Sequence, residues 1–224
     1  MAGGPGGYPG APGGGYGGPA VPGWNPNQSV AGFHPTTAQL QGFGGQYYQM
    51  LDPMKIAELR SWFNGIDSDK SGQITAAELG KAQFAGKTLA ADTCAKLLNI
   101  FDTDGSGNLG FFEFSALHQF VSSAISAFYM FDADGSGKLS QREVQQALHQ
   151  SGFVFMEHTM EALYKKFQAV KSLAAAGQLS IDDYLKMTAY LGQIRSTFFA
   201  QDSDHDGIVQ FNMESLVQLV TRLS

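Results

Sequence analysis

Three stretches of this chain repeat one set of oxygen-bearing residues at one spacing. They are Asp67, Asp69, Ser71 and Glu78; Asp102, Asp104, Ser106 and Glu113; and Asp132, Asp134, Ser136 and Glu143. In loops 67–78, 102–113 and 132–143 these residues hold positions 1, 3, 5 and 12. Calcium is a hard cation that takes about six to eight oxygen ligands at flexible geometry, and a loop of this length supplies them. Position 7 (Gln73, Asn108, Lys138) needs only its main-chain carbonyl, which is why its side chain varies. Glycine at position 6 (Gly72, Gly107, Gly137) permits the sharp turn at positive φ. The glutamate at position 12 reaches back with both oxygens. Serine at position 5 departs from the stricter Asp/Asn pattern, but a hydroxyl still ligates, so the change lowers charge without removing a ligand.

An aliphatic residue at position 8 (Ile74, Leu109, Leu139) completes each loop and suits a short two-stranded contact between paired loops. Solvated acidic turns would have to reproduce about six matched positions in each of three loops by chance, which excludes that reading. Two weaker copies follow. Loop 172–183 keeps Gly177, Leu179 and Asp183 but places Ser172, Ala174 and Ala176 where carboxylates should stand; it is expected to fold like the others and bind nothing. Loop 202–213 offers Asp202, Asp204, Asp206, the Ile208 carbonyl and an aliphatic Val209. Its twelfth residue is Met213, with Glu214 one place late, so weak calcium binding at most is expected there.

Such loops work only between two helices, the helix–loop–helix unit called an EF-hand, and the flanking sequence supplies them. Ile56, Leu59, Trp62, Phe63 and Ile66 recur at helical spacing, as do Met160, Leu163, Tyr164 and Phe167. One apolar face runs from Phe111 through Phe114, Leu117, Phe120, Ile125 and Phe128 to Phe131; another joins Tyr184, Leu185, Leu191, Ile194 and Phe198. The loop starts 67, 102, 132, 172 and 202 are 35, 30, 40 and 30 residues apart. A 30-residue step leaves room for one continuous helix shared by two hands, and stretches 111–131 and 184–200 are those helices. The fold class is therefore all-α, with five EF-hands in residues 50–224.

Residues 1–49 differ in kind. The first 51 residues contain no Asp, Glu, Lys or Arg, and 15 of the 28 glycines precede residue 46. Such a chain buries too little apolar surface to offset backbone entropy, so a flexible, disordered Gly/Pro-rich tail is expected. It reads either as a solubilising leader or as an aromatic-bearing segment that contacts membranes or partners when calcium is bound. The net charge of −6 belongs entirely to the remainder. No basic stripe exists to neutralise phosphates, which argues against a nucleic-acid partner. The single cysteine, Cys94, excludes an internal disulfide and an all-thiolate metal site, and reads as a small apolar helix residue. No apolar run reaches bilayer-spanning length and no signal peptide is evident, so a cytoplasmic location is expected. His34, His118, His149, His158 and His205 are scattered, with no serine or cysteine arranged beside them for catalysis, so no enzyme activity is expected.

Five hands at this spacing behind a Gly/Pro/Tyr-rich tail resemble the penta-EF-hand family over the whole chain. The ligand sets of loops one to three, the Ile181-Asp182-Asp183-Tyr184 run, the Leu109-Gly110-Phe111-Phe112-Glu113-Phe114 run and the Asp-rich fifth loop carry the resemblance. It implies a homodimer, or a heterodimer with another penta-EF-hand chain, formed by the fifth hand, which has no partner within its own chain. The odd count and an apolar last helix (Leu216, Val217, Leu219, Val220, Leu223) point the same way. The resemblance further implies a calcium sensor and adaptor that recruits proteins, Pro-rich segments among them, and associates reversibly with membranes. Its rivals are the regulatory small subunit of a calcium-dependent cysteine protease, and a passive calcium buffer.

Overall fold

The computed structural model describes residues 35, 39, 40, 42–168, 178–202 and 208–223. Its described elements are α1 (Phe43–Tyr48), α2 (Pro53–Ile66), α3 (Ala76–Leu79), α4 (Ala91–Phe101), α5 (Phe111–Phe131), β1 (Leu139–Ser140), α6 (Gln141–Gln150), α7 (Glu157–Phe167), β2 (Gln178–Leu179), α8 (Ile181–Gln201) and α9 (Met213–Leu223). The fold is all-α, and its strand content lies within the loops, as expected. Both shared helices form: α5 joins the second hand to the third, and α8 joins the fourth to the fifth.

Local chemistry sets the helix starts. Asp52 accepts from Lys55 N at 2.8 Å and Pro53 occupies the first helical position, where its missing N–H costs nothing. The helices leaving loops one, three and four begin with reciprocal capping boxes, Thr75/Glu78, Ser140/Glu143 and Ser180/Asp183. The twelfth loop residue thus doubles as a helix-capping residue.

The core is one aromatic-rich cluster. Phe63, Phe84, Phe101, Phe112, Phe114, Phe128 and Tyr184 are all buried in it. The position-8 residues tie the loops together inside it: Ile74 and Leu109 exchange N–H···O bonds of 2.8 and 2.9 Å, and Leu139 pairs antiparallel with Leu179. All four are fully buried. Cys94 is likewise buried, on α4.

The N-terminal boundary needs correction. Residues 43–48, placed by composition in a flexible tail ending at 49, form α1 and pack into the core. Phe43 and Tyr48 are buried, and their rings lie 5.2 Å from Phe101 and 4.9 Å from Phe112 respectively. Burying aromatic side chains, each with about 150–250 Å² of surface, outweighs the entropy that Gly44 and Gly45 cost. The folded domain therefore includes residues 43–48 rather than beginning at 50. The expected disorder of residues 1–34 lies outside the described residues.

Candidate calcium centres

In loop one, Asp67 ends α2, Glu78 sits in α3, and the turn between them curls the side chains inward. Carboxylate oxygens of Asp67, Asp69 and Glu78 converge within 4.8 Å of one another; so do those of Asp102, Asp104 and Glu113, and those of Asp132, Asp134 and Glu143. Serine at position 5 joins each group. Ser71 Oγ lies 3.4 Å from Asp67 Oδ1 and donates to the Gln73 carbonyl at 3.1 Å. Ser106 repeats this with Asp102 and the Asn108 carbonyl, and Ser136 with Asp132 and the Lys138 carbonyl. The position-7 carbonyls therefore face the same point as the carboxylates. The structure brings together all fifteen residues expected of loops one to three.

Main-chain donors hold this geometry. Asp67 Oδ2, Asp102 Oδ2 and Asp132 Oδ2 accept from the N–H of Gly72, Gly107 and Gly137 at 2.8–2.9 Å. Glu78 Oε1 accepts from Ser68 N, Glu113 Oε1 from Thr103 N, and Glu143 Oε1 from Ala133 N. Their Oε2 atoms accept from Thr75, Gly110 and Ser140 N. The hydrogen bonds from Ser71, Ser106 and Ser136 hold Asp69, Asp104 and Asp134 below the usual carboxylate range. Bonds from Thr75 and Ser140 do the same for Glu78 and Glu143. Ionised carboxylates crowded this closely repel one another, and the all-oxygen donor set matches a hard divalent cation. The residues fit Ca²⁺.

Two further features of the loops are legible in the sequence. Position 4 is left-handed: Gly105 and Gly135 have φ of +71° and +66°, while loop one places Lys70 there at +58°. The capping boxes are also written in the sequence, as Ser or Thr followed three residues later by Glu or Asp.

Loop four lies partly outside the described residues, including Ser172, Ala174, Ala176 and Gly177. Its described end behaves as a hand: Leu179 pairs with Leu139, and Asp183 accepts from Ser180 Oγ at 2.7 Å. Asp183 is nevertheless paired with an ammonium, Lys186 Nζ at 3.5 Å, which also reaches Asp92 on α4 at 2.8 Å. Burial works against the Lys186 charge, but the Asp92 hydrogen bond and the charges of Asp183 and Asp92 outweigh it and raise its pKa. In loop five, Asp202 is buried and Ile208 exposed, while Asp204 and Asp206 lie outside the described residues. Met213 is exposed at the start of α9, and contributes no carboxylate.

Paired helix–loop–helix units with three converged oxygen clusters define an EF-hand calcium-binding protein. Models of the EF-hand domain pair match residues 70–119 and 122–189. The chain is 30% identical over 189 residues to penta-EF hand domain-containing protein 2 of Dictyostelium discoideum, covering 84% of this chain and 89% of that one. It is 32% identical to peflin of Danio rerio (80% and 68% covered) and 30% identical to sorcin of Mus musculus (95% and 92%). A solved structure of a homolog of programmed cell death 6 protein from Leishmania major superposes with a TM-score of 0.57 at 29% identity, over 84% of this chain and all of that one. The chain belongs to the penta-EF-hand family, and the relatives it matches are calcium-binding regulatory proteins rather than enzymes. Its cofactor is Ca²⁺. Among the described residues no helix is long and apolar enough to cross a membrane.

Proposed function

We propose that this chain is a calcium sensor and adaptor, loaded at loops one to three and dimerised through its fifth hand. The ligands are Asp67, Asp69, Ser71, Glu78 and the Gln73 carbonyl; Asp102, Asp104, Ser106, Glu113 and the Asn108 carbonyl; and Asp132, Asp134, Ser136, Glu143 and the Lys138 carbonyl. Bound Ca²⁺ supplies the positive charge that offsets the mutual repulsion of three carboxylates per loop. Each position-12 glutamate belongs to the helix leaving its loop. Its distance from the position-1 aspartate therefore sets the angle between the two helices, and with it the apolar surface they present.

The observation that carries the reading is the exposed apolar surface of the fifth hand. Among the described residues, position-8 pairing joins Ile74 to Leu109 and Leu139 to Leu179, and no such bridge includes Val209. Behind it, α9 leaves Met213, Leu216, Val217 and Val220 exposed. Side chains of this kind are worth roughly 1.5–3 kcal/mol each when buried, and the fifth hand of a second copy or of another penta-EF-hand chain would cover them. Other exposed apolar groups, Tyr129, Met130, Val154 and Met156, are left for calcium-dependent contacts with proteins, Pro-rich segments or membranes. Sedimentation in chelator is expected to show a dimer for the intact chain and a monomer after removal of residues 202–224. A monomeric intact chain, or a dimeric truncation, overturns the assignment of the dimer to the fifth hand. Calorimetric titration is expected to find two to three sites in the roughly 10⁻⁷–10⁻⁵ M range of calcium sensors, with Glu143→Gln removing one; unchanged stoichiometry excludes loop three.

A further inference from the structure

Helix α1 precedes the first hand and contributes no calcium ligand, yet its aromatic side chains stand on both ends of the second loop. Phe43 packs on Phe101 at 5.2 Å and Phe120 at 6.0 Å; Tyr47 packs on the same two rings at 6.4 and 5.3 Å. Tyr48 packs on Phe112 at 4.9 Å. Phe101 immediately precedes Asp102, the first residue of loop two, and Phe112 immediately precedes Glu113, the last. The two rings beneath α1 are therefore the covalent neighbours of the two ligands that close the loop.

Other contacts show how closely α1 fits. A Cβ at Gly44 would meet Ala116 at 3.4 Å and Phe101 at 3.5 Å, and a Cβ at Gly192 on α8 would overlap the Phe43 ring. Only the absence of a side chain at Gly192 lets Phe43 reach its seat. The helix has little stability of its own. It is six residues long, includes two glycines, and has no side-chain cap at Gly42. It carries no charged side chain of its own, because the first 51 residues have none. Its place depends chiefly on the packing of its aromatic rings, so a modest shift of Phe101 or Phe112 changes whether it docks.

We propose that α1 braces the second calcium loop: Phe43, Tyr47 and Tyr48 are positioning residues that hold Phe101 and Phe112 where Asp102 and Glu113 converge. Docking of α1 and calcium binding at loop two then stabilise each other by one shared factor. The direction follows from the structure, in which a docked α1 and converged loop-two carboxylates occur together. This inference rests on loop two being a calcium site.

The test is a double-mutant cycle on the full-length chain, read by calorimetric calcium titration, with far-ultraviolet dichroism confirming retained helix content. Phe43→Ala is expected to weaken one site about 5–50-fold and leave the others unchanged. Gly192→Ala, which lies on α8 and displaces Phe43 without touching loop two, is expected to weaken the same site. Phe43→Leu restores most of the affinity. In the Glu113→Gln background, Phe43→Ala has no further effect. In the unaltered chain, amides 43–48 exchange hydrogen more slowly in calcium than in chelator, by a similar factor. Equal weakening of every site, an effect that persists with Glu113→Gln, or exchange indifferent to calcium overturns the brace. If Glu113→Gln by itself leaves the stoichiometry unchanged, the calcium assignment of loop two fails, and the brace with it.

Discussion

The first pair of loops and the second are joined by the same device and carry different ligand sets. Ile74 meets Leu109 in one, Leu139 meets Leu179 in the other, and all four side chains are fully buried. The first pair brings two carboxylate clusters together; the second brings one, opposite a hand whose position-12 aspartate is matched to Lys186. Pairing of hands thus does not require a carboxylate cluster in both. Apolar position-8 residues and the capping boxes of position 12 make the pair, whereas the carboxylates of positions 1 and 3 complete the oxygen cluster. A hand can lose its metal and keep its place because the bonds that fold it, such as Ser180 Oγ to Asp183, involve no cation.

The largest effect that tests this separation is on stability. Leu179→Ala, in the hand without a carboxylate cluster, is expected to destabilise the chain by about 2–5 kcal/mol in chelator, as much as Leu109→Ala. Chemical denaturation measures both. A much smaller cost for Leu179→Ala would show that loaded and unloaded pairs are held together differently.

Acid distinguishes the first half next. His118 on α5 is enclosed by Trp62 and Phe84, with Lys55 and Glu58 the nearby charges. Burial, reinforced by Lys55 and only partly opposed by Glu58, lowers its pKa from 6.5 to about 4. The folded state therefore disfavours the imidazolium that the unfolded chain accepts. The stability so contributed is complete above pH 6.5 and is lost as pH falls toward about 4, by up to about 3 kcal/mol. His118→Leu should flatten the pH dependence of denaturation across that window. An unchanged slope would mean that His118 is hydrated.

Smaller effects sharpen the contrast between loops. Lys186→Met leaves buried Asp183 without its cation and is expected to cost about 1–3 kcal/mol, with calcium stoichiometry unaltered. A new site appearing in titration would show that Lys186 had been excluding metal. Lys70→Gly, giving loop one the glycine that loops two and three carry at position 4, relieves left-handed strain. The glycine also adds freedom to the unfolded chain, so the net gain should be about 0.5 kcal/mol, seen as a small rise in Tm. A loss would show that the Lys70 side chain makes a compensating contact.

Much of the architecture was legible because EF-hand chemistry is local. Ligands, turn glycine and bridge residue fall within one loop, so spacing alone predicts that Asp102 and Glu113 converge, and both shared helices follow from the distance between loops. What spacing could not show is where separate elements meet. Phe43, Tyr47 and Tyr48 look like aromatics scattered in a glycine-rich leader until Phe101, Phe112, Phe120 and Gly192 surround them. Asp183 and Lys186 stand three residues apart and could have been paired on paper, but Asp92, 94 residues from Lys186, could not. By itself the sequence determined the fold class, the count of hands and the candidate ligands, since those depend on contacts within a dozen residues. Only the tertiary structure decided where the domain begins and how its hands are braced, because a side chain's burial depends on neighbours that folding brings from elsewhere in the chain.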